Sequence, residues 1–97
     1  MTTWFVSRHL GALQWMREHG PQFDQHVPHL QPEQVVAGDV VIGTLPVHLA
    51  AQVCDRGAEY WHLSLELPQP LRGVELSSQE LQHLGASLKH YTVKELA

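Results

Sequence analysis

Two runs of sheet-forming residues, Trp4-Phe5-Val6 and Val40-Val41-Ile42, are apolar without alternation, and each passes through a short loop into a segment with helical spacing. Apolarity on every residue suits a strand covered on both faces, as in a parallel sheet between helical layers. This repeated strand, loop, helix order constrains the chain more than any other feature. It places the loops Ser7-Arg8-His9-Leu10-Gly11 and Gly43-Thr44-Leu45-Pro46 at the carboxyl edge of a sheet, where open α/β folds bind ligands.

The remaining pattern extends the same reading. Residues 11–19 predict a helix that Gly20-Pro21 ends, and residues 25–30 a weaker strand that Pro28 confines to a sheet edge. Residues 32–37 allow one helical turn, and Gly38-Asp39 a turn before the third strand. Thr44 reads as an N-cap with Pro46 in the first helical turn, followed by Leu45, Leu49 and Val53 at helical spacing and Gly57 as the closing glycine. Residues 60–67 alternate as a fourth strand, and residues 68–74 form a Pro/Gly loop. Ser77-x-x-Glu80 is a capping box, after which Leu81, Leu84, Leu88 and Tyr91 predict a long last helix. One α/β domain over residues 1–97 is expected, a sandwich with a mostly parallel sheet in the order 2-1-3-4. In that order strands one and three are neighbours whose helices leave toward opposite faces, which makes the crevice between their loops the topological switch point.

Charge narrows the partners. A net charge of -4 with only six Lys and Arg argues against long nucleic acid, which calls for a basic stripe. A compact anion needs only a few local cations and backbone amides. The single cysteine, Cys54, excludes an internal disulfide and fits a reducing compartment. No apolar run reaches the roughly 20 residues of a membrane span, so a soluble, cytoplasmic protein is expected. The eight histidines include no zinc-type pair, so no metal or other cofactor is expected. Cys54 and the three tryptophans, Trp4, Trp15 and Trp61, read as core residues.

The two loops carry the candidate site. Ser7 offers a hydroxyl that serves either a phosphate or a helix cap. Arg8 offers a guanidinium for anion contact, against the plainer reading of a solvated side chain. His9 is suited to proton transfer or to hydrogen bonding. Leu10, Gly11, Leu45 and Pro46 complete the loops. Gly43 permits close backbone approach, and Thr44 with the amides after it forms a helix-start anion site, capping being the simpler alternative. Arg72 in the later loop is a weaker candidate for covering the site. No Gly-x-Gly-x-x-Gly or P-loop pattern is present.

Ser-Arg-His-x-Gly-Ala at residues 7–12, Gly-Asp-x-Val-x-Gly-Thr-Leu-Pro at residues 38–46 and Leu-Ala-Ala-x-x-Cys at residues 49–54 resemble a small CRISPR-associated family of the Csx group. Gly-Ala-x-Tyr at residues 57–60 and His-Leu-Ser-Leu at residues 62–65 extend the resemblance across most of the chain. It implies a Rossmann-like domain, similar to the cyclic-oligoadenylate-binding (CARF-like) domain of CRISPR effectors, in a three-layer sandwich. It implies a homodimer that binds cyclic tetra-adenylate and linearises it, a ring nuclease that switches off type III CRISPR signalling. Placed on that activity by their chemistry, Arg8 and His9 are the catalytic candidates. Ser7, Leu10, Gly11, Gly43, Thr44, Leu45 and Pro46 are the ligand-binding candidates. A module that sequesters the same ligand without cleaving it, or a structural interaction protein, are the competing readings.

Overall fold

The computed structural model describes residues 1–66, 69–71 and 73–97. Leu67, expected to end the fourth strand, and Pro68 and Arg72 of the expected loop lie outside the described residues. Strand β1 (Thr3–Val6) leads into helix α1 (Leu10–His19), edge strand β2 (Gln25–Val27) and a 3-10 turn (Pro32–Gln34). Strand β3 (Val40–Gly43), helix α2 (Val47–Asp55) and strand β4 (Glu59–Ser64) follow. A second 3-10 turn (Gln69–Leu71), helix α3 (Ser78–His83) and strand β5 (Ser87–Tyr91) complete the chain.

The strands form one sheet in the order β2-β1-β3-β4-β5. The first four are parallel, and β5 runs antiparallel to β4 with Leu63 opposite Leu88. The sheet is therefore mixed, with a fifth strand where the sequence predicts the continuation of a helix. Gly85 is the physical reason. It adopts φ +78°, and the amides of Gly85 and Ala86 bond back to the carbonyls of Gln82 and Leu81. That pair of bonds is the glycine-closed ending of a helix. Leu81 and Leu88 do reach one core, the first from a helix and the second from a strand, which is how a helical spacing arises without a continuous helix. Gly57, at φ +87°, ends α2 with the corresponding bonds to Cys54 and Val53.

The two sheet faces divide the core by alternation. Val6, Val41 and Tyr60 face Ala50 and Val53 of α2, together with Leu30 and Val35. Phe5, Ile42 and Leu63 face Ala12, Trp15 and Met16 of α1 and Leu81 of α3. Helices thus cover both faces. The capping box at Ser77 is formed in both directions. Trp15 Nε1–H donates to Gln82 Oε1 at 2.9 Å and the Ser78 hydroxyl to Glu18, which ties α3 to α1. No helix among the described residues is long and apolar enough to cross a membrane.

Asp39, expected only as a turn residue, is 1% exposed and organises the opposite, amino-terminal edge of the sheet. Its carboxylate accepts from the amides of Thr2 (2.9 Å) and Val36 (3.1 Å) and from Trp4 Nε1–H (3.2 Å). Burial alone pushes its pKa up, but these three donors together with the N-terminal charge outweigh it and hold the carboxyl below its ordinary 3.8. A depressed folded pKa contributes stability that is complete above the unfolded value and disappears as pH falls through the folded one. Asp39→Ala leaves three donors without an acceptor and is expected to cost about 3 kcal/mol in denaturant unfolding. Asp39→Asn and the wild type are expected to converge in stability as pH drops below 3.8. A stability gap that persists undiminished in acid would count against the buried carboxylate.

Candidate functional site

Val6 and Gly43, the last residues of β1 and β3, lie side by side in the sheet. From there the chain turns to opposite faces, into α1 and α2. Residues 7–9 and 44–46 consequently flank one cleft of about 780 Å³ at the carboxyl edge. Ser7, Arg8, His9, Gly43, Thr44, Leu45 and Pro46 all line it. Leu49, Leu63, Leu65 and Leu76 add apolar wall, and His29 and Glu75 are polar members that the sequence did not single out.

The local chemistry departs from the expected caps. The N-cap of α1 is His9, not Ser7, and its side chain makes no capping bond. Ser7 Oγ instead accepts from the His9 amide at 3.1 Å, which curls the loop as it leaves the strand. The Ser7 carbonyl lies 3.0 Å from Nε2 of His26, on edge strand β2. Pro46, expected in the first helical turn, occupies the N-cap of α2, so Thr44 stands before the helix and is exposed rather than capping it.

Two glycines prove to be placed by packing. A Cβ on Gly43 would sit 2.7 Å from the Val6 carbonyl oxygen, so glycine is required there by the neighbouring strand, whether or not a ligand approaches. A Cβ on Gly11 would sit 1.8 Å from the Leu76 carbonyl oxygen; Gly11 admits the backbone leading to α3 and does not line the cleft. Leu10 does not line it either. It opens α1 at 78% exposure.

The second loop is held from β4. The buried Tyr60 hydroxyl accepts from the Leu45 amide at 2.9 Å and lies 3.2 Å from the Gly43 carbonyl and 2.6 Å from His62 Nδ1. Burial raises the Tyr60 pKa above 10.0, only partly offset by the Leu45 amide, so it remains a neutral phenol with one proton to donate. The shorter contact makes His62 Nδ1 the favoured acceptor. The alternation of β4, with Tyr60 and His62 on one face, was the sequence signal for this pair.

The first loop carries the charge. His9 Nδ1 lies 2.9 Å from Oε2 and 3.2 Å from Oε1 of Glu75. The contacts between basic and acidic side chains among the described residues are this one and His90–Glu59, and neither involves the exposed Arg8 guanidinium. No group of three or more His, Cys, Asp or Glu side chains is arranged to hold a metal ion among the described residues. The cleft therefore combines a cation, two imidazoles, a carboxylate, two hydroxyls and apolar wall, in which the cation and hydroxyls can hold a phosphate beside a stacked or buried organic group.

The model of a family described as "Putative CRISPR-associated protein (Cas_VVA1548)" matches residues 4–94. No curated protein and no solved structure matches the chain.

Proposed function

Because the chain belongs to the Cas_VVA1548 family of CRISPR-associated proteins, we propose that its cleft binds cyclic tetra-adenylate and cleaves it, making the protein a ring nuclease of type III CRISPR signalling. The observation that carries this reading is the meeting of Ser7, Arg8 and His9 with Thr44 across the β1–β3 switch point. Two segments far apart in sequence supply complementary parts of one anion site.

The substrate brings its own nucleophile. A ribose 2′-hydroxyl attacks the adjacent phosphorus, forming the 2′-O–P bond while the P–O5′ bond breaks. His9 accepts the hydroxyl proton, and the departing 5′-oxygen takes up a proton to become a hydroxyl. The product is linear, with a 2′,3′-cyclic phosphate at one end. Holding the 2′-oxygen in line contributes several kcal/mol, and Arg8 offsets the charge that builds on the phosphorane oxygens. This chemistry calls on no metal.

One protomer has a single Arg8 loop for four phosphates. Leu10 and Val47, the first residues of α1 and α2, are 78% and 72% exposed at the edge of the sheet that carries the cleft. An apolar rim beside the cleft suits a second copy, and a two-fold dimer matches a four-fold ring with the same patch used twice. The proposed assembly is a homodimer with the ring across its axis.

Incubation with cyclic tetra-adenylate in EDTA, followed by chromatography, tests the activity, and light scattering with titrated ligand tests the assembly. Linear products from a dimer binding one ring are expected. An intact ring held in a tight complex would reassign the protein as a sequestering module. Absence of binding would remove the ligand, and a monomer binding one ring per chain would overturn the shared cleft.

A further inference from the structure

The residue that faces His9 comes from the far end of the chain. Glu75 lies 66 positions away in sequence, in the segment that enters α3, yet both its oxygens are within 3.2 Å of His9 Nδ1. We propose that Glu75 is a positioning residue for His9, set in place by the contact of the Leu76 backbone with Gly11. This rests on the reading of His9 as the proton acceptor in ring cleavage.

The chemistry of the contact assigns the proton. An ionised carboxylate can only accept, so Nδ1 carries the hydrogen in this contact, and whenever the ring holds a single proton Nε2 keeps its lone pair. That is the tautomer a general base needs when its other nitrogen serves the substrate. The geometry is built, not incidental. The Leu76 carbonyl occupies the space where a Cβ of Gly11 would be, the half-buried Leu76 packs against the core cluster that includes Ala12 and Leu81, and Ser77 starts α3 with a complete capping box. Glu75 is therefore presented by a segment fixed against the first turn of α1, the helix that His9 caps. A carboxylate on the wall of a phosphate site opposes the ligand's charge, so its contribution there is through the imidazole. The side chains are 62% and 64% exposed, so the pair adds little to stability, and its effect falls on rate.

The test compares wild type, Glu75→Gln and Glu75→Ala in single-turnover cleavage of cyclic tetra-adenylate, in ring binding, in thermal melting and in long-range proton–nitrogen NMR of the His9 ring. Glu75→Ala is expected to cleave about tenfold more slowly or worse, with unchanged melting and affinity equal to or tighter than wild type. Glu75→Gln keeps an oxygen acceptor and is expected to restore most of the rate. The NMR spectrum of the wild type is expected to show the Nδ1–H tautomer, and that of Glu75→Ala to lose it. Equal rates in wild type and Glu75→Ala, or a His9 tautomer that survives Glu75→Ala, would overturn the proposal. Should the wild type not cleave the ring, the ring-nuclease reading fails by itself, and the tautomer still decides whether Glu75 orients His9.

Discussion

His9→Ala is expected to slow single-turnover cleavage of cyclic tetra-adenylate by about 100-fold or more, with affinity for the ring changed by no more than a few-fold. The size follows from the loss of a positioned proton acceptor while the phosphate contacts remain. The structure makes the substitution a clean one. His9 holds the N-cap position of α1 through its backbone, without a side-chain capping bond, so alanine removes no cap. The contact with Glu75 is more than half exposed on both sides and contributes about 0–1 kcal/mol. Melting within a few degrees of wild type is the accompanying expectation. Rapid-quench analysis of product ends, with binding measured by calorimetry in parallel, separates the two effects. An unchanged cleavage rate with an unchanged fold would take His9 out of the mechanism.

Arg8→Ala is expected to act on binding first. A charge-assisted contact to phosphate contributes about 1.5–3 kcal/mol, so its removal weakens the ring complex about tenfold to a hundredfold for each loop that contributes one. In a two-fold dimer both loops lose it together, and the loss compounds. Cleavage falls as well, because the same guanidinium faces the charge of the transition state. Salt distinguishes this from a packing effect: the affinity of Arg8→Ala is expected to depend less steeply on ionic strength than that of the wild type. Arg8→Lys keeps the charge without the planar fork and is expected to recover only part of the affinity. Wild-type affinity in Arg8→Ala would show that the first loop does not carry the anion contact.

The contrast between Gly57 and Gly85 explains where reading the chain succeeded and where it stopped. Both end a helix with positive φ and the same pair of returning bonds. Gly57 is preceded by a helical spacing that ends with it. Gly85 sits inside one, because Leu81, Leu84 and Leu88 keep a helical interval across the break. Local spacing cannot tell a helix from a helix and a strand that feed the same core, and β5 was hidden for that reason. Gly11 and Gly43 are a second case. Beside a candidate site, glycine suggests room for a ligand, but at both positions the neighbour is backbone of the protein itself, and that neighbour is absent from any local window.

The sequence by itself determined the parallel heart of the fold, the edge position of β2, which is shorter than the expected 25–30 and ends at Val27 just before Pro28, the capping box of α3 and the two loops that meet at the switch point. Each is a local property: continuous apolarity for strands buried on both faces, a missing amide donor at Pro28, reciprocal bonds across three residues at Ser77, and the short strand-to-helix turns that carry Arg8 and His9. Tertiary structure alone decided the antiparallel β5, the buried Asp39 with its three donors, the Tyr60 hydroxyl that fastens the second loop, and the approach of Glu75 to His9. These are contacts between segments distant in the chain. Their partners are chosen by which surfaces the folded core brings within hydrogen-bonding distance, and a one-dimensional pattern does not contain that distance.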